Sequence, residues 1–220
     1  MSQSIKAVIF DHDGTLVDSE HSHFLAWNRM LEPHAVQIPE QAYKAHCAGR
    51  STLDTARYIQ ESLLPNLTAD DLYALQRAAR DQDSDEAHPL LPGARESVAA
   101  MAKWFPLAIA TGAERYSIDR TLSAYGWEDT FQAIATTSDV EHPKPAPDVY
   151  LLAAEKLGVP TGDCLAIEDS EPGYLSASAA GCRVVLVNSE FSPQDWAPPT
   201  LARLESLHDL AAFVGSDHEA

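Results

Sequence analysis

Cysteine and lysine are both scarce in this chain, and long apolar runs are missing. There are three cysteines among 220 residues, Cys47, Cys164 and Cys182. An odd, small number without metal-type spacing argues against a disulfide framework and fits a reducing, cytoplasmic location. No stretch approaches the roughly 18 apolar residues that a membrane helix needs. The opening MSQSIK leads straight into a short apolar run, so no signal peptide is expected. Basic residues total 15 against 33 acidic ones, a net charge of −18. So acidic a surface repels nucleic acid and anionic membranes, and neither is expected as a partner. It also repels a phosphate ester at long range, so any phosphate site must supply its own cation locally. That makes the five lysines informative: Lys6, Lys44, Lys103, Lys144 and Lys156.

With 45% hydrophobic residues the chain can bury a sizeable core. Five near-continuous apolar runs, at 6–10, 106–111, 133–136, 164–167 and 183–187, read as strands covered on both faces. Helical patterns lie between them, at 93–104, 117–125, 148–157 and 173–180, the last two stopped by Gly158 and Gly181. This alternation predicts an α/β fold, a doubly wound, Rossmann-like parallel sheet. One region breaks the rule. Residues 18–87 contain no convincing strand but four helical patterns, at 23–31, 41–48, 53–63 and 69–81. The expected organisation is an α/β core of residues 1–17 and 88–220 with an all-helical cap domain, 18–87, inserted after the first strand.

The sharpest motif, Asp11-His12-Asp13-Gly14-Thr15-Leu16-Val17-Asp18-Ser19, directly follows the first predicted strand. Ligands of open parallel sheets bind outside the carboxyl ends of strands. Two carboxylates one residue apart, followed by Gly, can face one cleft there. Close carboxylates repel, and one stays protonated unless a cation is bound. The pair therefore offers a nucleophile or metal ligand together with a proton donor. Three further pieces fall at other strand ends. Thr111 and Gly112 provide a hydroxyl and backbone N–H groups that could hold phosphate oxygens. Lys144 lies in His142-Pro143-Lys144-Pro145, where the prolines stiffen the loop. Glu168 and Asp169, opposite Asp11 and Asp13, make a hard oxygen site suited to Mg²⁺.

In order and in structural context, these four pieces resemble the four motifs of the haloacid dehalogenase-like hydrolases. The resemblance covers the whole chain and is strongest toward the branch with phosphoglycolate phosphatases, beta-phosphoglucomutases and sugar-phosphate phosphatases. It implies a Mg²⁺-dependent phosphatase acting on a small phosphorylated metabolite, a sugar phosphate or similar. Asp11 would attack phosphorus and become an aspartyl phosphate. Asp13 would protonate the leaving alkoxide and then deprotonate the attacking water. Thr111, Gly112 and Lys144 would hold the phosphoryl group. Mg²⁺ would sit on Asp11, the Asp13 main-chain carbonyl and Asp169, with Glu168 close by. Relatives that cleave carbon–halogen bonds lack an aspartate at the place of Asp13, so its presence points to phosphate esters. His12 departs from commoner members and is given no role.

The cap loop Ala48-Gly49-Arg50-Ser51-Thr52 resembles the one that relatives use to read the non-reacting part of a substrate. Gly49, Arg50 and Ser51 are the candidates, Arg50 for a second anionic group. Beta-phosphoglucomutases carry an arginine where Thr52 falls, so a phosphosugar mutase is the second reading. A non-enzymatic phospho-acceptor module is the third, disfavoured by the long helical insertion and by an acceptor aspartate after strand one. The plain structural alternatives are a turn or calcium loop for the Asp11 motif, a helix cap for Thr111, a solvated strand end or helix cap for Glu168 and Asp169, and surface positions for Lys144 and Arg50. His21 and His23 are expected to be solvated, the cysteines buried, and Trp27, Trp104 and Trp127 packed. Monomer and homodimer are both open.

Overall fold

A computed structural model describes residues 4–48, 50–80, 87–188 and 198–218. Six strands form one parallel sheet: β1 (Ala7–Phe10), β2 (Leu107–Ala110), β3 (Ala133–Ala135), β4 (Cys164–Glu168), β5 (Arg183–Val187) and β6 (Ala202–Leu204), in the order β3-β2-β1-β4-β5-β6. The first strand is central. Phe10 pairs in register with Ile109 of β2 and with Ile167 of β4. The order reverses at β1, and the crevice above such a reversal is where an open α/β sheet binds ligands.

Alternation along each strand sends side chains to two different cores. Val8, Phe10, Leu107, Ile109, Leu165 and Ile167 meet the helices α5 (Ala94–Met101), α6 (Arg115–Tyr125) and α9 (Leu210–His218) on one face. On the other face, Ala7, Ile9, Ala108, Ala110, Cys164 and Ala166 meet α7 (Asp148–Leu157) and α8 (Glu171–Ala179). Both faces are covered, which is why the strands read as unbroken apolar runs. The predicted doubly wound sheet is the one observed. All three cysteines are free and buried, and burial pushes their thiols up, Cys47 and Cys182 to about 12 and Cys164 to about 11.

Between β1 and α5 the chain forms α1 (Glu20–Leu31), α2 (Glu40–His46), α3 (Thr52–Ser62) and α4 (Ala69–Arg80). These helices have a core of their own, built from Trp27, Leu31, Ile38, Tyr43, Cys47, Ala56, Ile59 and Leu72. The outgoing and returning linkers are stitched together: Val17 bridges Leu90, Asp18 N donates to Pro89 O at 2.9 Å, and Leu91 N donates to Leu16 O at 3.0 Å. Among the described residues no helix is long and apolar enough to cross a membrane.

Several details differ from the expectation. Strand β6 and helix α9 lie beyond the last predicted elements. Trp104 stands in the turn after α5 and is 46% exposed rather than packed. Gly49, one of the cap-loop candidates, lies outside the described residues, as does position 81 at the predicted end of the fourth helical pattern.

Candidate active site

Residue 11 continues β1 by one more pairing, its N–H donating to Ile167 O at 2.9 Å. The chain then folds back on itself. Leu16 N and Val17 N donate to His12 O at 2.9 and 3.1 Å, and Gly14 N donates to Val17 O at 2.9 Å. This loop requires Gly14 twice over. Its φ is +81°, in the left-handed region, and a Cβ there would run into the Asp169 carboxylate. The first and last motifs are thus pressed together at the carboxyl end of the sheet.

Lys144 reaches the same point from the loop before α7. Its Nζ donates to Asp11 Oδ1 and to Glu168 Oε1, both at 2.6 Å. Glu168 is fully buried and has a second close donor, Tyr150 OH, also at 2.6 Å. Its other oxygen, Oε2, accepts from Asp169 N and Ser170 Oγ at 3.2 Å each. Carboxylate oxygens of Asp11, Glu168 and Asp169 lie within 4.8 Å of one another, all three residues buried.

The electrostatics follow from one ammonium serving several acids. Burial is the largest influence on Asp11 and raises its pKa; Glu168 and Asp13 raise it further, and Lys144 only partly offsets them. At Lys144 burial works toward the neutral form, but Asp11 and Glu168 outweigh it and hold the ammonium above its ordinary value. Tyr150 is pushed well above its ordinary value by burial and the two carboxylates, so it stays a donor. Asp13 is the opposite case. Burial raises its pKa, yet His12, His23 and Ser19 together hold it far below the usual carboxylate range. The His12 ring is buried, with Nδ1 3.4 Å from Asp13 Oδ1 and Nε2 2.9 Å from Thr121 Oγ1 of α6.

Three buried carboxylates clustered around one ammonium, which pairs with Asp11 and Glu168, leave a surplus of negative charge among hard oxygen donors. That donor set fits a divalent cation of the Mg²⁺ type. The Asp13 side chain, named with the metal ligands from sequence, is not among the three clustered carboxylates.

Above the cluster opens a cleft of about 640 Å³, floored by Asp11, Asp13 and Lys144 and walled by the helical insertion. Gly112 lines it, along with Arg50 and Ser51. Thr111 is buried beneath, its Oγ1 accepting from Ala113 N at 2.9 Å, which leaves the hydroxyl proton to donate elsewhere. Ser51 has a structural duty as well: it caps α3, accepting from Asp54 N at 3.1 Å. The structure therefore gathers Asp11, Asp13, Lys144, Glu168 and Asp169 at one end of the sheet, and puts Arg50 and Ser51 across the cleft from them.

A model of the haloacid dehalogenase-like hydrolases matches residues 5–181. The chain belongs to this family. It is an enzyme of the hydrolase class. Protein CbbY of Rhodobacter capsulatus is 36% identical to it over 90% of this chain and 94% of its own. Fructose-1-phosphate phosphatase YqaB of Escherichia coli is 33% identical, covering 84% of this chain and 97% of its own. Among solved structures, CbbY of Rhodobacter sphaeroides in complex with xylulose-(1,5)-bisphosphate superposes with a TM-score of 0.78, at 25% identity, over 94% of this hydrolase and 96% of that chain.

Three contributors to the site escape sequence reading. Tyr150 is hidden in the apolar run of α7 and declares nothing locally. His12 gains its anchor, Thr121, from 109 positions away. Gly173 does leave a signal, a glycine in the first turn of a helix, where better helix formers would serve unless something approaches closely. A Cβ on Gly173 would collide with the Glu168 carboxylate. Gly173→Ala is accordingly expected to lower stability by about 1–3 kcal/mol, measured by thermal melting. Unchanged melting with unchanged activity would show that Glu168 has room to move.

Proposed function

We propose that this hydrolase is a phosphoric monoester hydrolase that releases phosphate from a small phosphorylated metabolite, a sugar phosphate or similar, with Mg²⁺ as its cofactor. The observation that carries this reading is Asp11: a buried carboxylate at the end of the central strand, 2.6 Å from an ammonium, at the floor of an open cleft. YqaB, named for fructose 1-phosphate, and the CbbY complex with a ketose bisphosphate support a phosphorylated sugar as the substrate class.

The proposed chemistry uses each residue where it stands. An Asp11 oxygen attacks phosphorus in line, forming a P–O bond as the bond to the leaving oxygen breaks. Asp13 delivers a proton to that leaving alkoxide. His12 and His23 favour its ionised form, and the dianionic phosphoryl group arriving beside it acts in the opposite sense. Asp13 then takes a proton from the water that attacks the aspartyl phosphate, and inorganic phosphate departs. Lys144 offsets charge on the transferring group, and Thr111 and the Gly112 backbone orient its oxygens. Asp11, Asp169 and the Asp13 carbonyl would hold Mg²⁺ with Glu168 beside them, and the ion would supply further neutralisation of the phosphoryl charge. Residues 18–87 act as a cap, swinging on the paired linkers at 16–18 and 89–91 to admit substrate and then exclude water.

Steady phosphate release from a panel of phosphorylated metabolites tests the reading. A chelator is expected to abolish it and added Mg²⁺ to restore it. Turnover that survives complete chelation removes the cation from the proposal. Isomerised hexose phosphate without phosphate release makes the enzyme a mutase instead.

A further inference from the structure

Helix α4 carries a polar residue in its inner row. Leu72 and Gln76, one turn apart, are exposed by only 0% and 1%. The pattern that seats Leu72 in the core of the helical insertion calls for an apolar residue at 76. Gln76 instead lines the cleft above Asp11 and Asp13, and its Oε1 is buried without a hydrogen-bond partner among the described residues. An unpaired buried amide oxygen destabilises the protein that carries it, so its presence asks for a partner from outside the chain.

The neighbouring cleft wall narrows the chemistry of that partner. It includes Glu20, Tyr43 and Thr55, all buried, with Tyr43 OH donating to Glu20 Oε2 at 3.1 Å. A buried carboxylate and a buried, unpaired amide oxygen in the lining of one cleft make that lining rich in acceptors. Such a wall repels a second anion and attracts neutral donors. The arginines of the cleft, Arg50 and Arg77, are solvent-exposed, unlike Glu20 and Gln76. The terminal torsion of a glutamine is broad, so its amide turns toward a ligand at little cost.

We infer that Gln76 determines specificity by accepting a hydrogen bond from a hydroxyl on the leaving group, so that the cleft selects polyhydroxylated phosphate esters. This rests on the phosphatase reading and adds to it the chemistry of the substrate's far end. Gln76→Met keeps the side-chain length and removes the acceptor. The probes are sorbitol 6-phosphate and p-nitrophenyl phosphate, whose leaving group has no aliphatic hydroxyl. The ratio of their kcat/KM values is expected to fall about tenfold or more in favour of the nitrophenyl ester. The ligand-free variant is expected to melt at the same temperature or higher, because an unpaired acceptor has been replaced by an apolar group. An unchanged ratio overturns the inference. So does a variant that melts lower or fails to fold, which would give the amide a structural role. Calorimetric binding of sorbitol 6-phosphate to Asp11→Asn, with and without Gln76→Met, is read in parallel. About tenfold weaker binding is expected; equal binding, or no binding to the parent, overturns it. If the wild type hydrolyses neither ester, the phosphatase reading fails and the binding comparison alone decides Gln76.

Discussion

Asp11→Asn is expected to reduce phosphate release by roughly 10⁴-fold or more while leaving the fold intact. The substitution preserves shape and removes the attacking oxygen's charge. Asn presents an amide in place of the oxygen that now accepts from Lys144, but the ammonium retains Glu168 Oε1 at 2.6 Å, so the loop before α7 keeps an anchor. One negative charge fewer in a cluster with surplus acid also relieves the repulsion recorded in the raised pKa of Asp11. Substrate affinity should therefore hold or tighten even as turnover collapses. The measurements are phosphate release under saturating Mg²⁺, thermal melting, and mass spectrometry of rapidly quenched enzyme, which should show a phosphoryl adduct on the wild type alone. Turnover within tenfold of wild type, in protein free of contaminating phosphatase, would exclude Asp11 as the nucleophile.

Lys144→Met carries the second large effect, on stability as well as rate. Its side chain is nine-tenths buried, with the ammonium between Asp11 and Glu168. Removing one partner of a buried ion pair leaves uncompensated charge, at a cost of about 3–5 kcal/mol. The pH dependence identifies the cause. Burial, Glu168 and Asp13 already raise the folded-state pKa of Asp11, and Lys144 opposes them. Without the lysine, the folded-state pKa rises further above the unfolded value. A group so raised contributes its stability at low pH and loses it as pH climbs through the folded pKa. The variant's melting deficit should thus be small near about pH 5 and wide near about pH 8, in chelator. Added Mg²⁺ should narrow it by supplying the missing positive charge. A deficit that is constant with pH would point to lost packing rather than lost charge.

The parts of this molecule that were legible in the sequence are those written in local patterns. Strand β1 announces itself as an apolar run, and the aspartates behind it fall at a strand end where ligands bind. Gly158 stops α7 where the periodicity says it should. Strand β6 was not legible, because three half-buried residues, Ala202-Arg203-Leu204, at the sheet edge need no apolar signature. Trp104 is exposed because α5 ends at Met101, three residues short of it, and the helical spacing does not continue into the turn that follows. His23, expected in solvent, instead lines the cleft, meets His88 edge-on at 5.8 Å and acts on Asp13. The motif residues could be read, whereas the groups that hold them could not. Tyr150 and Thr121 act through contacts that arise only when separate segments meet, whereas Gly173 lies against Glu168, its near neighbour in the chain.

The strand order has a consequence for the life of the chain before folding is complete. Asp11 leaves the ribosome well ahead of the lysine and the acidic pair that surround it, which come 133 positions and more behind. Central β1 has nothing to pair with on either side until β2 and then β4 have emerged. A nascent or truncated chain ending before residue 144 therefore holds the aspartate loop without the ammonium that pairs with Asp11. On the proposed reading, hydrolytic competence arrives late in synthesis, once β2 and β4 have closed on β1.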